Sequence, residues 1–102
     1  RLARRLTRER TSYATVYALL LRAGLAARGD GDAIALLRQA IELAAAHDMA
    51  QHLAAARDRL GALVGGDEGA ALRAAAAAYA TAEGIVDPAR MFEILAPAIV
   101  RP

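Results

Sequence analysis

Apolar side chains recur every three or four positions along most of the chain, which is the spacing that lines one face of an α-helix. Glycines, aspartates and changes of phase divide this pattern into five segments. These segments predict five helices, at about residues 1–28, 32–47, 49–64, 67–83 and 88–95. Because the connections are short, neighbouring helices should be antiparallel.

The first predicted helix is the longest, and its continuity depends on Thr11 and Ser12. Either residue could cap a new helix and divide the segment in two. The apolar spacing passes through both residues without a change of phase, which favours one continuous helix. Its predicted inner face consists of Leu2, Leu6, Tyr13, Val16 or Tyr17, Leu20 and Gly24.

The first two breaks carry different signals. Gly29 suits the position that follows a helix, and either Asp30 or Asp32 can cap the next helix. The break after residue 47 contains neither Gly nor Pro. It is predicted from the change of phase, with Asp48 as the N-cap of the third helix.

The later breaks carry stronger signals. The Gly65-Gly66 pair should end the third helix, and Gly84 should end the fourth. Asp87 followed by Pro88 is typical of an N-cap and the first helical position, so it should open a short fifth helix.

Each of the later helices also has a predicted inner face. In the second helix this face consists of Ile34, Leu37, Ala40, Ile41 and Ala44, and in the third of Met49, Leu53, Ala56, Leu60 and Leu63. In the fourth helix it consists of Leu72, Ala75, Ala76 and Tyr79, and in the fifth of Met91, Phe92 and Leu95. Comparable apolar faces begin at Tyr13 and Met49, a separation close to the repeat length of helix-turn-helix solenoids.

Composition supports an all-α fold. The 102 residues include 29 Ala and 14 Leu, both strong helix formers, whereas β-branched residues are few. The length suits one domain over residues 1–102. The absence of Cys excludes disulfides, a thiol nucleophile and Cys-ligated metal centres. Because the chain opens on Arg rather than Met, we expect it to be part of a longer protein.

Positive charge is concentrated at the start of the chain. All 13 basic residues are Arg, and five of them lie within residues 1–10 beside a single acid. The remaining residues carry more acids than arginines, so the pI of 9.7 reflects the first ten residues. A nucleic-acid-binding domain usually has a basic face across the whole domain, so this distribution weakens that interpretation.

The arginine run has three interpretations. It could be the solvated face of a helix whose Leu2 and Leu6 pack inward. It could bury its stems against a preceding repeat, or it could bind an acidic partner or nucleic acid. On the last interpretation, Arg4, Arg5 and Arg8 are candidate partner-binding residues.

Candidate catalytic and ligand-binding residues are few. His47 and His52 would be far apart around one helix, so exposed positions are expected rather than a metal pair. Ser12 has no His or acid beside it in the sequence that could activate it. The segment 65–69 is glycine-rich but follows a helix and carries two acids, so it is interpreted as a turn rather than a phosphate loop.

Tyr13 and Tyr17 lie one helical turn apart. Because they share the apolar face of the first helix, core packing is the favoured interpretation. The alternative is that both rings line a groove for a peptide, which makes them candidate partner-binding residues with the arginines.

Two resemblances extend this interpretation. Segment 29–43 resembles the second half of a tetratricopeptide repeat, with Ala33, Ile34, Leu37 and Ala40 at its small and large positions. A more degenerate second unit follows at Leu60-Gly61, Ala71-Leu72 and Ala78.

Most of the chain is similar to the C-terminal helical-repeat region of large bacterial serine/threonine protein kinases. The similar segments are 18–26, 54–57, 59–61, 65–69, 84–91 and 95–97. This resemblance implies a parent with a kinase domain, an ATPase segment and a repeat tail, and a regulatory or partner-sensing role for the tail. None of the kinase catalytic motifs is present in this sequence.

The sequence therefore predicts an all-α, tetratricopeptide-like domain with two degenerate repeats and a short capping helix. The expected function is non-catalytic: a cytoplasmic protein-interaction module for a peptide or partner domain, with no cofactor, no metal and no membrane span. Self-association and, less favoured, nucleic-acid binding through the arginine-rich start are the alternatives.

Overall fold

A computed structural model describes the backbone of residues 2–26 and 31–97, and the side chains of residues 8, 10–26 and 32–97. Every regular element in these ranges is an α-helix, which confirms the all-α prediction. The helices are α1 (Leu2–Leu25), α2 (Gly31–Ala46), α3 (Ala50–Val64), α4 (Gly66–Ala82) and α5 (Pro88–Leu95). The predicted boundaries agree to within three residues.

Helix α1 is continuous through the possible break at Thr11 and Ser12. The hydroxyl of Thr15 donates to the carbonyl of Thr11 at 2.8 Å, one turn earlier, so this side chain is satisfied without leaving the helix. The predicted roles of Gly29 and Asp30 fall outside the described residues.

The turn between α2 and α3 corrects the prediction for Asp48. Asp48 has a φ of 55° and ends α2 rather than beginning α3. The N–H of Met49 donates to the carbonyl of Ala44 at 2.9 Å, which is the bond that closes a helix after a left-handed residue. The N-cap of α3 is Met49, which forms no side-chain capping bond. Asp tolerates a left-handed backbone, so it can occupy a position that usually takes Gly.

The predicted ends of the later helices are confirmed. Gly65 and Gly84 have positive φ values of 62° and 67° at the ends of α3 and α4. The side chain of Asp87 accepts a hydrogen bond of 3.1 Å from the N–H of Arg90, and Pro88 occupies the first turn of α5.

Helix α3 is central, because it packs against α2, α4 and α5, whereas α1 packs along α2. The crossing of α3 and α4 is very close at Gly61 and Gly69. A Cβ added to Gly69 would lie 2.5 Å from the carbonyl oxygen of Gly61, a distance that real Cβ atoms do not adopt. The two glycines therefore permit contact between the helix backbones.

The core contains most of the predicted inner faces. Its buried residues among the described side chains are mainly Val16, Leu19, Leu20, Ala23, Leu36, Leu37, Ala40, Ala44, Met49, Ala54, Ala55, Ala56, Leu60, Ala76, Ala80, Phe92 and Ala96. Ile34, Ile41, Leu53, Leu63, Leu72 and Tyr79 are partly buried at its edge. Ala75 was predicted to point inward but is exposed, because α4 packs only along its Ala76 and Ala80 side.

Polar contacts tie distant elements together. Arg59 of α3 donates to the carbonyl of Ala96 at 2.7 Å and forms an ion pair with Glu93, which holds α5 against α3. Arg38 of α2 forms an ion pair of 2.9 Å with Glu68 in the first turn of α4. Within the described part of the chain, no helix has both the length and the apolarity that membrane crossing requires.

Candidate partner-binding surface

Helix α1 presents apolar side chains on two faces. Val16, Leu19, Leu20 and Ala23 are buried, and they form the face that packs on α2. The sequence left Val16 and Tyr17 as alternatives for this face, and the structure places Val16 there with no exposed surface.

The second apolar face of α1 is exposed to solvent. It consists of four residues at intervals of four positions: Tyr13 (53% exposed), Tyr17 (47%), Leu21 (40%) and Leu25 (67%). Residues four apart are neighbours along a helix surface, so these side chains form a continuous band about 18 Å long. We call this band the α1 stripe.

The prediction that Tyr13 and Tyr17 pack in the core is therefore wrong. The two faces of α1 lie side by side, and the spacing of apolar residues does not distinguish them. Helix α2 covers only the face that contains Val16 and Leu20. Elsewhere among the described side chains, the large exposed apolar residues are Val86 and Ile94, both outside α1.

Arginines accompany the α1 stripe. Arg8, Arg10 and Arg22 are exposed on the same helix. Arg4 and Arg5 belong to the backbone of α1, but their side chains lie outside the described ones, as do those of Leu2 and Leu6. At about 3.6 residues per turn, Arg10 falls on the side of α1 that carries the stripe, whereas Arg8 and Arg22 fall on another side of the helix.

Beside Tyr13, the fold brings together residues that the sequence separates. The Ser12 Oγ and His47 Nε2 atoms share a hydrogen bond of 3.2 Å across 35 residues. The rings of Tyr13 and His52 meet edge to face, with centroids 5.0 Å apart. Tyr13 therefore connects α1 to α3 although the two helices are not consecutive.

Two expectations about the histidines need correction. His52 was predicted to be exposed but is only 4% exposed, because the Tyr13 ring covers it. Burial lowers the pKa of His52, since the charged imidazolium is disfavoured away from water. His47 remains exposed, and it lies on the other side of the α2–α3 turn from His52 rather than on the same helix.

The pairing of Ser12 with His47 is also unexpected from the sequence. A Ser–His pair can activate a nucleophile, but acyl transfer also needs N–H donors aimed at the developing oxyanion. Ser12 lies in the middle of α1, where neighbouring backbone N–H groups are used by the helix itself. The geometry favours a structural hydrogen bond between α1 and α2.

The remaining candidate segments form no ligand site of their own. Segment 65–69 is a turn and the start of α4, and Glu68 is paired with Arg38. This pairing lowers the pKa of Glu68 through the hydrogen bond and the charge of Arg38. No group of three His, Asp or Glu side chains that could hold a metal ion occurs among residues whose placement is described.

The chain was compared with known protein families, with curated proteins and with solved structures. No match was found in any of the three comparisons.

Proposed function

We propose that the chain is a non-catalytic protein-interaction module that binds an acidic, amphipathic segment of a partner along α1. The observation that carries the proposal is the α1 stripe, Tyr13, Tyr17, Leu21 and Leu25, which is apolar, continuous and exposed. Contiguous exposed apolar surface is typical of binding sites in proteins that remain in solution.

The chemistry of the α1 stripe suits a protein partner. Tyr is enriched at the energetic centres of interfaces, because its ring buries a large area while its hydroxyl remains hydrogen-bonded. A helix laid along α1 would contact the stripe with its own residues at intervals of three and four. The stripe is about as long as three turns of such a helix.

Charge selects among the possible partners. An acidic segment would gain from Arg10, which lies on the stripe side of α1, and less from Arg8 and Arg22 elsewhere on the same helix. A symmetric dimer through α1 would place two arginine-bearing helices against each other, which opposes self-association by this face. Nucleic acid would meet apolar side chains between the arginines, which opposes that alternative.

The proposal includes the finer architecture. Helices α1 and α2 would form one tetratricopeptide-like hairpin, α3 and α4 a second, and α5 a cap. The packing of α1 on α2, of α3 on α4 and of α5 on α3 supports this arrangement. In the setting that the sequence resemblance implies, the module would be a cytoplasmic, partner-sensing tail of a bacterial serine/threonine kinase.

A selection from a random library of helical peptides tests the proposal. The wild-type chain should enrich peptides that combine an apolar face with acidic residues. Binding of these peptides should be lost in Tyr17→Ala and Leu21→Ala, and retained in Ile94→Ala, which removes an exposed apolar side chain elsewhere. Enrichment of basic peptides, or equal binding to all three variants, would contradict the proposal.

Two further measurements separate the alternatives. Light scattering should give a monomer at micromolar concentration, whereas a concentration-dependent dimer that Leu21→Ala abolishes would support self-association. Titration with duplex DNA should show no specific binding. Tight binding that weakens steeply with salt would instead favour the nucleic-acid interpretation.

A further inference from the structure

The two halves of α1 are anchored to the fold in different ways. Between Val16 and Ala23 the helix buries its inner face against α2. Before Val16, the described side chains are those of residues 8 and 10–15, and none of these is buried. The N-terminal half of α1 therefore depends on contacts at the surface of the molecule.

Two such contacts tie this half to the rest of the fold, and both end on a histidine. The Ser12 Oγ and His47 Nε2 atoms are 3.2 Å apart. The rings of Tyr13 and His52 meet edge to face, with centroids 5.0 Å apart and an angle of 74° between their planes. Because His47 follows α2 and His52 lies in the first turn of α3, both contacts hold α1 to the same turn. We call these two contacts the histidine latch.

The two contacts of the histidine latch respond differently to protonation. The bond between Ser12 and His47 is exposed, so water competes with it and it contributes little alone. It also survives protonation of His47, because a hydroxyl can accept from an imidazolium as well as donate to a neutral imidazole. His52 is buried beneath the Tyr13 ring, so the contact between these rings is the one that a charge would disturb.

Burial couples the charge of His52 to the position of Tyr13. While Tyr13 covers the imidazole, an imidazolium there would be deprived of water, and this burial lowers the pKa of His52. When Tyr13 moves away, the ring regains water and its ordinary affinity for a proton. The open arrangement therefore binds more protons than the closed one, so it gains population as the pH falls below 6.5.

Charged and titratable groups reach the surroundings of His52 from every element packed there. Helix α1 brings Arg10 and Tyr13, and the turn between α2 and α3 brings His47 and Asp48. Because α3 and α4 are antiparallel, the start of α3 lies beside the end of α4 and close to the start of α5, where the groups are Tyr79, Glu83, Asp87 and Arg90. The carboxylates in this set favour a charged imidazole and oppose release, but burial outweighs them, since the pKa of His52 is lowered.

We propose that His52 makes the histidine latch sensitive to pH: neutral, its ring holds the N-terminal half of α1 on the α2–α3 turn, and protonation in mildly acid solution releases that half. The remainder of the fold stays in place, because residues 16–23 keep their packing on α2. A short stretch of helix without tertiary contacts is only marginally stable in water, so the released half should fray.

NMR on the free chain between pH 7.5 and pH 5 tests the proposal. At pH 7.5 a nuclear Overhauser effect should connect the ring protons of Tyr13 and His52. It should disappear at pH 5, as the Hε1 shift of His52 moves to that of an imidazolium. The ratio of released to closed molecules should rise by up to about tenfold for each unit of pH below 6.5, as uptake of one proton requires. A ring contact that persists at pH 5 with His52 protonated would overturn the proposal.

Backbone relaxation shows where the release occurs. At pH 5 the heteronuclear ¹⁵N Overhauser effects of residues 10–15 should fall, as they do for a segment that moves on the nanosecond timescale. Those of residues 19–24 should keep the values of a rigid helix. Loss of structure throughout the chain at the same pH would mean global unfolding and would contradict a local release.

Matched variants assign the response to one histidine. His52→Phe keeps an aromatic ring beneath Tyr13 but takes up no proton, so residues 10–15 should stay rigid at pH 5. His47→Gln keeps a donor and an acceptor for Ser12 and should release as the wild type does. Release in His52→Phe at the wild-type pH would overturn the proposal, as would loss of release in His47→Gln.

The substitution Tyr13→Ala keeps the test decisive if His52→Phe does not fold. Tyr13 is half exposed, and its removal should open the histidine latch at every pH. Residues 10–15 should then be as mobile at pH 7.5 as those of the wild type at pH 5, and rigid residues at pH 7.5 would contradict the proposal. The inference is independent of the proposed function, because each measurement uses the chain without a partner.

Discussion

The contact between α3 and α4 makes a sharp prediction for the substitution Gly69→Ala. Gly69 lies in the first turns of α4, and a Cβ at this position would lie 2.5 Å from the carbonyl oxygen of Gly61. The obstacle is backbone, so it cannot rotate away as a flexible side chain would. The two helices must separate by about 1 Å to reach an ordinary contact distance.

Two opposing effects set the magnitude. Alanine is a better helix former than glycine, which favours the variant by about 1 kcal/mol. Overpacking costs about 1–3 kcal/mol, and the rigid obstacle places this case near the upper end. Separating the helices would also weaken the packing around Leu60 of α3 and around Ala76 and Ala80 of α4, which are all buried. The expected net loss in the free energy of unfolding is about 2 kcal/mol.

Urea unfolding followed by circular dichroism measures this loss. A shift of about 10 °C in Tm should accompany it in a domain of this size. Ala77→Gly is the matched control, because Ala77 is exposed on the same helix and reports helix propensity alone, at a cost of about 1 kcal/mol. A Gly69→Ala protein more stable than the wild type would refute the close approach of α3 and α4.

Three further predictions concern stability. Asp87→Ala removes the cap of α5 and should cost about 1 kcal/mol in urea unfolding; an unchanged midpoint would mean that the cap contributes nothing. Glu68→Gln removes the charged partner of Arg38 and should lower the stability slightly at neutral pH. Because the pKa of Glu68 is lowered in the folded state, the difference in stability from the wild type should disappear as the pH falls below 4.5. A difference that widens at low pH would contradict the pairing. Because the pKa of His52 is lowered in the folded state, the unfolded chain binds more protons, and the wild type should lose stability as the pH falls below 6.5. His52→Phe should lose less stability over the same range. If the stability of the two proteins fell in parallel with pH, His52 would not be buried as described.

Helix boundaries could be predicted from the sequence because they are local. Gly65, Gly84 and the pair Asp87-Pro88 have turn and cap preferences that need no tertiary contact. Asp48 was assigned to the wrong helix because an Asp can cap the start of one helix or adopt a left-handed conformation at the end of another. The local sequence does not distinguish these two roles.

The candidate site was harder to predict, because it depends on which face of each helix is covered. Tyr17 and Val16 are adjacent in sequence, and only the packing of α2 decides that Val16 is buried. His52 was mispredicted for the same reason, since the residue that covers it lies 39 positions earlier, at Tyr13. A glycine within a helical pattern, as at Gly61 and Gly69, was the available signal for a close helix crossing.

The dissociation constant of a selected acidic peptide tests the central proposal most directly, measured with the wild type, with the double variant Tyr17→Ala/Leu21→Ala and with Ile94→Ala. If the α1 stripe is the binding surface, the double variant should bind at least about tenfold more weakly, which corresponds to about 1.4 kcal/mol. Ile94→Ala should bind as the wild type does. Equal affinity in the double variant and the wild type would contradict the proposal that this module binds its partner along α1.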